Sequence, residues 1–333
     1  MQSLPLPSAL RAEYPLSNAG HKAVQAARQS IMDILRGKDR RLLLIIGPCS
    51  VHDENGAYAY ADFLLEQARA FEEKLFIVMR CYMEKSRTGE GWKGMARDPS
   101  FGGAPGTAGE GLRKARRIMS AIADRGLPLA TELASPYLWP YWIDTVSWAS
   151  IGARGVESQA LRETAQALPC PCGFKNGRDG GLLNALTASA VALRPGVALA
   201  CGLEDGRPAE TEAHGNPLPH VILRGSETRP NWRKAPELER LMRGQGLLPA
   251  MIIDASHGNS GKEPDKQRAV ALGALRMRGK GIAIRGLMVE SYLRQGRQAI
   301  ESGILPAPEL SLTDACLGLE KSSALIAELA ARI

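Results

Sequence analysis

Leu42-Leu43-Leu44-Ile45-Ile46-Gly47-Pro48-Cys49-Ser50 is the stretch on which the fold turns. Its unbroken apolar run, closed by Gly-Pro, suits a strand buried on both faces, as in parallel sheets. The turn that follows is not the glycine-rich phosphate turn expected after the first strand of an open dinucleotide-binding sheet. Comparable runs recur at Phe76–Met79, Leu129–Leu133, Ala149–Ala153, Cys172–Phe174, Val221–Leu223, Ala250–Ile253 and Leu287–Val289. Helical patterns follow most of them, for example Ala57–Ala70, Glu110–Ala123, Gly181–Ala192, Ala235–Gln245 and Lys266–Arg278. This alternation predicts parallel βαβ units, and eight of them favour an α/β fold closed as a (β/α)8 TIM barrel over an open doubly wound sheet.

Outside the alternation, residues 1–40 read as an N-terminal extension: a Pro-containing irregular start, then a helix from about His21 to Arg36. Residues 41–333 are the expected catalytic barrel. Residues 82–109 form a long glycine-rich loop, and loops of that length are often functional. Its GGAPGTAGEG stretch follows no apolar strand and precedes no Gly-Lys-Ser/Thr, so it reads as a mobile loop rather than a nucleotide loop. A hairpin insertion is expected over 196–219, an apolar strand Val197–Ala200 and then a polar Gly/Pro-rich stretch near 202–219.

Composition narrows the function classes. The chain has 333 residues, 44% of them hydrophobic, and a net charge of +7. That suits a folded enzyme with a sizeable core. The basic residues are dispersed, which argues against a nucleic-acid stripe and suits anionic small substrates. The sequence has neither an apolar run long enough to span a membrane nor a secretory pattern at its start, so a cytoplasmic protein is expected. Cys170-Pro171-Cys172 has no second cysteine pair and reads as a strand entry without chemistry.

The chemistry gathers where the strands end. At or just past the ends of the eight runs stand Cys49, Arg80, Glu132, Arg154, Lys175, Arg224, Asp254 with His257, and Glu290. The C-terminal mouth of a barrel is where its active site is built. Any one of these residues could be ordinary: an arginine in solvent, an inert cysteine, a hydrogen-bonded histidine. The set is more telling. Arg80, Lys85, Arg154, Lys175 and Arg224 would crowd into one mouth, and like charges converge when a polyanion offsets their repulsion. Arginine forks suit carboxylate and phosphate oxygens, so the substrate expected carries both. Cys49, His257, Glu290 and Asp314 offer a sulfur, an imidazole and two carboxylates, a mixed set suited to a divalent metal, although their wide spacing does not by itself single them out.

The motifs IIGPCSVHD (45–53), FIVMRCYMEKSRTGEGWKG (76–94), ASIGARGVESQ (149–159), GFKNGRDG (173–180), HVILRG (220–225), IIDASHGNS (252–260), GLMVES (286–291) and LTDACLG (312–318) resemble those of the class I 3-deoxy-D-arabino-heptulosonate 7-phosphate synthases. The resemblance runs from about residue 20 to residue 330, in the family's order. It implies a barrel enzyme opening the shikimate pathway by condensing phosphoenolpyruvate with erythrose 4-phosphate. It implies one divalent metal ion on Cys49, His257, Glu290 and Asp314, with manganese expected first and iron, cobalt or zinc also suited. Phosphoenolpyruvate would meet Arg80, Lys85, Ala153, Arg154, Lys175 and Arg224, and the aldose phosphate Arg87 and Thr88. Lys85, His257 and Glu132 would carry the proton chemistry. A homodimer or homotetramer is implied, with no nucleic-acid or membrane partner. The chain has Ser86 where the family usually has proline, and its own sequences at Asp98–Pro105, Pro136–Trp142, Pro169 and the hairpin. These departures bear on the acceptor and on feedback inhibition by aromatic amino acids. Two other readings follow: a related synthase with a different phosphorylated aldehyde, or a catalytically silent barrel acting as a regulatory partner.

Overall fold

The computed structural model of the chain describes residues 3–301 and 304–333. Two helices lead in, α1 (Pro7–Glu13) and α2 (Asn18–Arg36). Then come β1 (Leu42–Gly47), α3 (Glu54–Ala70), β2 (Leu75–Arg80), α4 (Ala108–Asp124), β3 (Leu129–Leu133), β4 (Val146–Ile151), α5 (Gln159–Ala167), β5 (Cys172–Lys175) and α6 (Leu183–Leu193). The antiparallel hairpin β6 (Gly196–Cys201) and β7 (Pro208–Ala213) interrupts the alternation. It resumes with β8 (His220–Leu223), α7 (Ala235–Gly244), β9 (Met251–Asp254), the single turn α8 (His257–Ser260), α9 (Gln267–Gly279), β10 (Ile284–Glu290) and α10 (Leu319–Ala330). Eight strands close in the order β1-β10-β9-β8-β5-β4-β3-β2, and every pairing is parallel.

Side chains alternate across each strand with period two, and this builds the interior. Leu43, Ile45, Val78, Ala130, Trp148, Ile222, Ile252 and Met288 pack into one cluster inside the barrel, while Leu42, Leu44 and Ile46 join the layer between strands and helices. Ile31, Ile34 and Leu35 of α2 belong to the inner cluster, so this helix plugs the barrel. Its ends are well specified. Ser17 accepts from the Gly20 amide, and Gly37 closes it at φ 78°, a left-handed value suited to glycine.

Two expectations need correcting. The Pro-containing start holds helix α1, because Pro7 suits a first helical turn and Leu10 supplies a buried anchor. The fourth strand begins at Val146 rather than Ala149; Ser147 broke the apolar pattern, yet Trp148 between them fills the barrel. The hairpin spans 196–213, inside the segment expected to hold it, and the apolar strand is its first arm. Cys170 and Cys172 are free and fully buried at the entry to β5, and burial pushes the Cys170 thiol up to about 11.

Candidate active site

Two residues beyond the apolar layer, the same inward faces change character. Val78 is followed by Arg80, Ala130 by Glu132, Ile222 by Arg224, Ile252 by Asp254 and Met288 by Glu290. Lys175 ends β5 in the same way. The alternation that fills the barrel therefore stacks a charged layer on an apolar one at the C-terminal mouth. A cavity of about 240 Å³ opens above it.

Ten of the residues expected in the site line this cavity: Cys49, Lys85 and Arg87; Glu132, Ala153 and Arg154; Lys175, Arg224, His257 and Asp314. Arg80 and Glu290 lie beneath the lining, buried, and pair with each other at 3.0 Å. The Arg80 guanidinium also stacks 4.2 Å over the Tyr82 ring, leaving Nη1 without a protein partner. Thr88 stands just outside, where its hydroxyl accepts from Arg154 Nε at 2.6 Å.

Lys85 Nζ donates to the Cys49 carbonyl at 2.9 Å and to Cys49 Sγ at 3.3 Å. Burial alone would lower its pKa, but Cys49, Glu132 and Glu290 hold it above the ordinary lysine value. Its loop is anchored by buried Glu84, which accepts from Ser135 Oγ at 2.9 Å and faces Arg97 Nε at 3.5 Å. Lys175 Nζ bridges Glu132 at 3.0 Å and Asp254 at 3.6 Å. Against the upward push of burial, Lys175 and Lys85 hold the Glu132 carboxyl down at about 2, so it is ionised. Gly152 makes room for that carboxylate, since a Cβ there would lie 2.9 Å from Glu132 Oε1.

His257 sits at φ 53°, a costly backbone for a non-glycine residue. Its Nδ1 lies 2.7 Å from Ser256 Oγ and 2.9 Å from Asp254 Oδ2, and its Nε2 turns toward Glu290 Oε1 at 3.6 Å. Asp254 was noted at its strand end but given no role. It is fully buried and lies against both Lys175 and His257.

Cys49 Sγ and carboxylate oxygens of Glu290 and Asp314 lie within 4.8 Å of one another, the cluster of possible metal ligands among the described residues. His257 stands beside this triad. Ligand atoms held 2.0–2.3 Å from one ion are at most about 4.6 Å apart, so small side-chain rotations suffice to close the set. Burial and then Glu290 push the Cys49 thiol up to about 11. A divalent cation would offset that carboxylate and favour the thiolate. The donor set fits such an ion.

The chain is similar to proteins already known. The model of the DAHP synthetase I family matches residues 14–327. The Tyr-sensitive phospho-2-dehydro-3-deoxyheptonate aldolase of Escherichia coli K12 is 40% identical over 335 residues, covering 98% of this chain and 92% of that protein. The Phe-sensitive aldolase of the same strain is 41% identical over 327 residues, covering 97% and 93%. The Trp-sensitive aldolase of Enterobacter agglomerans is 41% identical over 332 residues, covering 98% and 94%. The solved structure of phospho-2-dehydro-3-deoxyheptonate aldolase from Francisella tularensis SCHU S4 superposes with a TM-score of 0.95 at 34% identity, covering 100% of this chain and 97% of that one.

Proposed function

We propose, from the premise that this chain belongs to the DAHP synthetase I family, that it condenses phosphoenolpyruvate with erythrose 4-phosphate and water to give 3-deoxy-D-arabino-heptulosonate 7-phosphate and phosphate. The observation that carries the reading is the convergence of Lys85, Arg154, Lys175 and Arg224 with ionised Glu132 around one cavity. The cations suit the phosphate and carboxylate of the enol donor. Arg87, exposed at the mouth, and Thr88 suit the phosphate of the aldehyde.

In the reaction proposed, C3 of the enol forms a bond to the aldehyde carbon while the aldehyde oxygen takes a proton. Lys85 gives that proton in this reading, with His257 assisting. Positive charge developing at C2 is captured by water, which Glu132 orients. The resulting hemiketal loses phosphate by C–O cleavage, leaving the ketone. Lys175, held by Glu132 and Asp254, keeps a fixed cation beside these events. Cys49, Glu290, Asp314 and His257 would hold one divalent metal, manganese first, which supplies Lewis acidity for a carbonyl oxygen. Exposed Val197 and Leu199 on β6 and Leu183 on α6 offer apolar surface for a second copy, in keeping with a homodimer or homotetramer. The free, buried cysteines suit a reducing cytoplasm.

The test is phosphate release from phosphoenolpyruvate with a panel of phosphorylated aldoses. Erythrose 4-phosphate is expected to give the highest kcat/KM. A different best acceptor, in keeping with Ser86 at the docking loop, would assign the chain to the related-synthase reading; no turnover with any acceptor would leave the silent barrel.

A further inference from the structure

Arg178 and Glu227 meet at the mouth of the cavity, from the loops that follow β5 and β8, and both line it. Arg178 Nε donates to Glu227 Oε1 at 2.6 Å, and the Glu227 amide donates to the Arg178 carbonyl at 3.0 Å. The pair is open to solvent, with side-chain exposures of 39% and 52%. The Glu227 carboxyl is held below its ordinary value by Arg178 first, then by Arg224 and Arg154. Arg154 in turn is lowered by burial and by Arg178. Glu227 shares the lining of this cavity with Arg154, Arg178 and Arg224, at the mouth where an incoming anion would meet them.

A second cavity of about 450 Å³ adjoins the first, sharing Ala153, Arg154 and Arg178 with it and reaching Thr88. Arg224 and Lys175 lie deep, whereas Arg178 lies at the rim beside Thr88 and Arg154. A phosphate carries about −1.5 to −2 charges and three acceptor oxygens, against one charge on a carboxylate, so it satisfies converging guanidinia better. We propose that Arg178 is a phosphate-binding, specificity-determining residue for the aldehyde substrate, and that the Glu227 carboxylate holds its guanidinium in place until the aldehyde's phosphate displaces it. This deepens the function proposed above and rests on it for the identity of the aldehyde.

Kinetics and direct binding on the whole 333-residue chain test the contact and the reaction separately. Losing one charge-assisted contact to phosphate raises KM for erythrose 4-phosphate about tenfold or more in Arg178→Gln. KM for phosphoenolpyruvate, kcat, and turnover of unphosphorylated D-erythrose then stay within about twofold of the parent, since the lost contact is to one phosphate. Glu227→Gln removes the competing charge and lowers KM for erythrose 4-phosphate by about threefold or more. Unchanged KM in Arg178→Gln, or an equal loss with D-erythrose, overturns the phosphate contact. A raised KM in Glu227→Gln overturns the displacement. Calorimetric titration with erythrose 4-phosphate in the absence of phosphoenolpyruvate gives a readout free of turnover. Weaker binding by Arg178→Gln, alongside a parent protein that releases no phosphate, sinks the proposed reaction but not the contact; equal binding in an active protein sinks the contact alone.

Discussion

Lys85 spends both of its hydrogen bonds on Cys49, so the proton donor proposed for the aldehyde and the sulfur proposed for the metal are tied at one point. Lys85→Ala is expected to lower kcat by ~10²-fold or more, the scale of a lost general acid, with the fold intact. Turnover close to that of the parent would remove Lys85 from the chemistry. A second residue makes a prediction about stability. His220, buried in the barrel, accepts from Trp148 Nε1 at 3.1 Å and faces the Leu218 carbonyl at 2.9 Å through Nδ1, an arrangement that suits the neutral ring. Burial lowers its pKa from 6.5 to about 4. The unfolded chain thus binds the proton more readily, and this contribution is full above pH 6.5 and is lost as pH falls toward 4. The shift corresponds to about 3 kcal/mol. Urea titrations of the parent and His220→Gln are expected to diverge by that order between pH 6.5 and 4; parallel pH dependence would contradict the assignment.

At the level of elements, the strands carry most of what was legible in the sequence. Once Val78, Ala130, Ile222, Ile252 and Met288 are read as interior, period two places Arg80, Glu132, Arg224, Asp254 and Glu290 on the same face. The same period points to Asp254, which had been left without a role. Loops have no period, so neither Arg178 nor Glu227 announced itself, and the pair is evident only where the two loops meet. The plug of α2 into the barrel was also hidden, because an amphipathic helix does not say which surface it covers. Ile34→Ala in that plug should cost ~2–5 kcal/mol in chemical denaturation, as for other fully buried isoleucines. A cost below about 1 kcal/mol would mean that α2 is not part of the core. Gly152→Ala tests the opposite end. Its methyl group would meet Glu132 Oε1 at 2.9 Å. Displacing that carboxylate is expected to lower kcat by about tenfold or more with little change in thermal midpoint. Unchanged kcat would show that the placement of Glu132 is not critical.

For the whole molecule, the net charge of +7 excludes little by itself; its meaning comes from the cations that the barrel gathers at one end. The metal cluster is the least legible part. Cys49 and Asp314 are separated by nearly the whole barrel in sequence, and only its closure, with β1 paired to β10, brings them together. Spacing could not single out these candidate ligands; the motif resemblance proposed them. Exhaustive chelation is expected to abolish turnover and divalent metal to restore it, while Cys49→Ser should weaken metal binding measured by equilibrium dialysis. Full activity after chelation would remove the metal from the proposal. The central claim is that one barrel mouth joins an enol phosphate to a sugar-phosphate aldehyde. It is tested most directly by incubating the purified protein with phosphoenolpyruvate, erythrose 4-phosphate and manganese, then following phosphate and the organic product by mass spectrometry. Equal amounts of phosphate and a seven-carbon keto-acid phosphate are expected, both requiring the aldehyde. Phosphate released at the same rate without the aldehyde, or no seven-carbon product with any of the four metals, would contradict it.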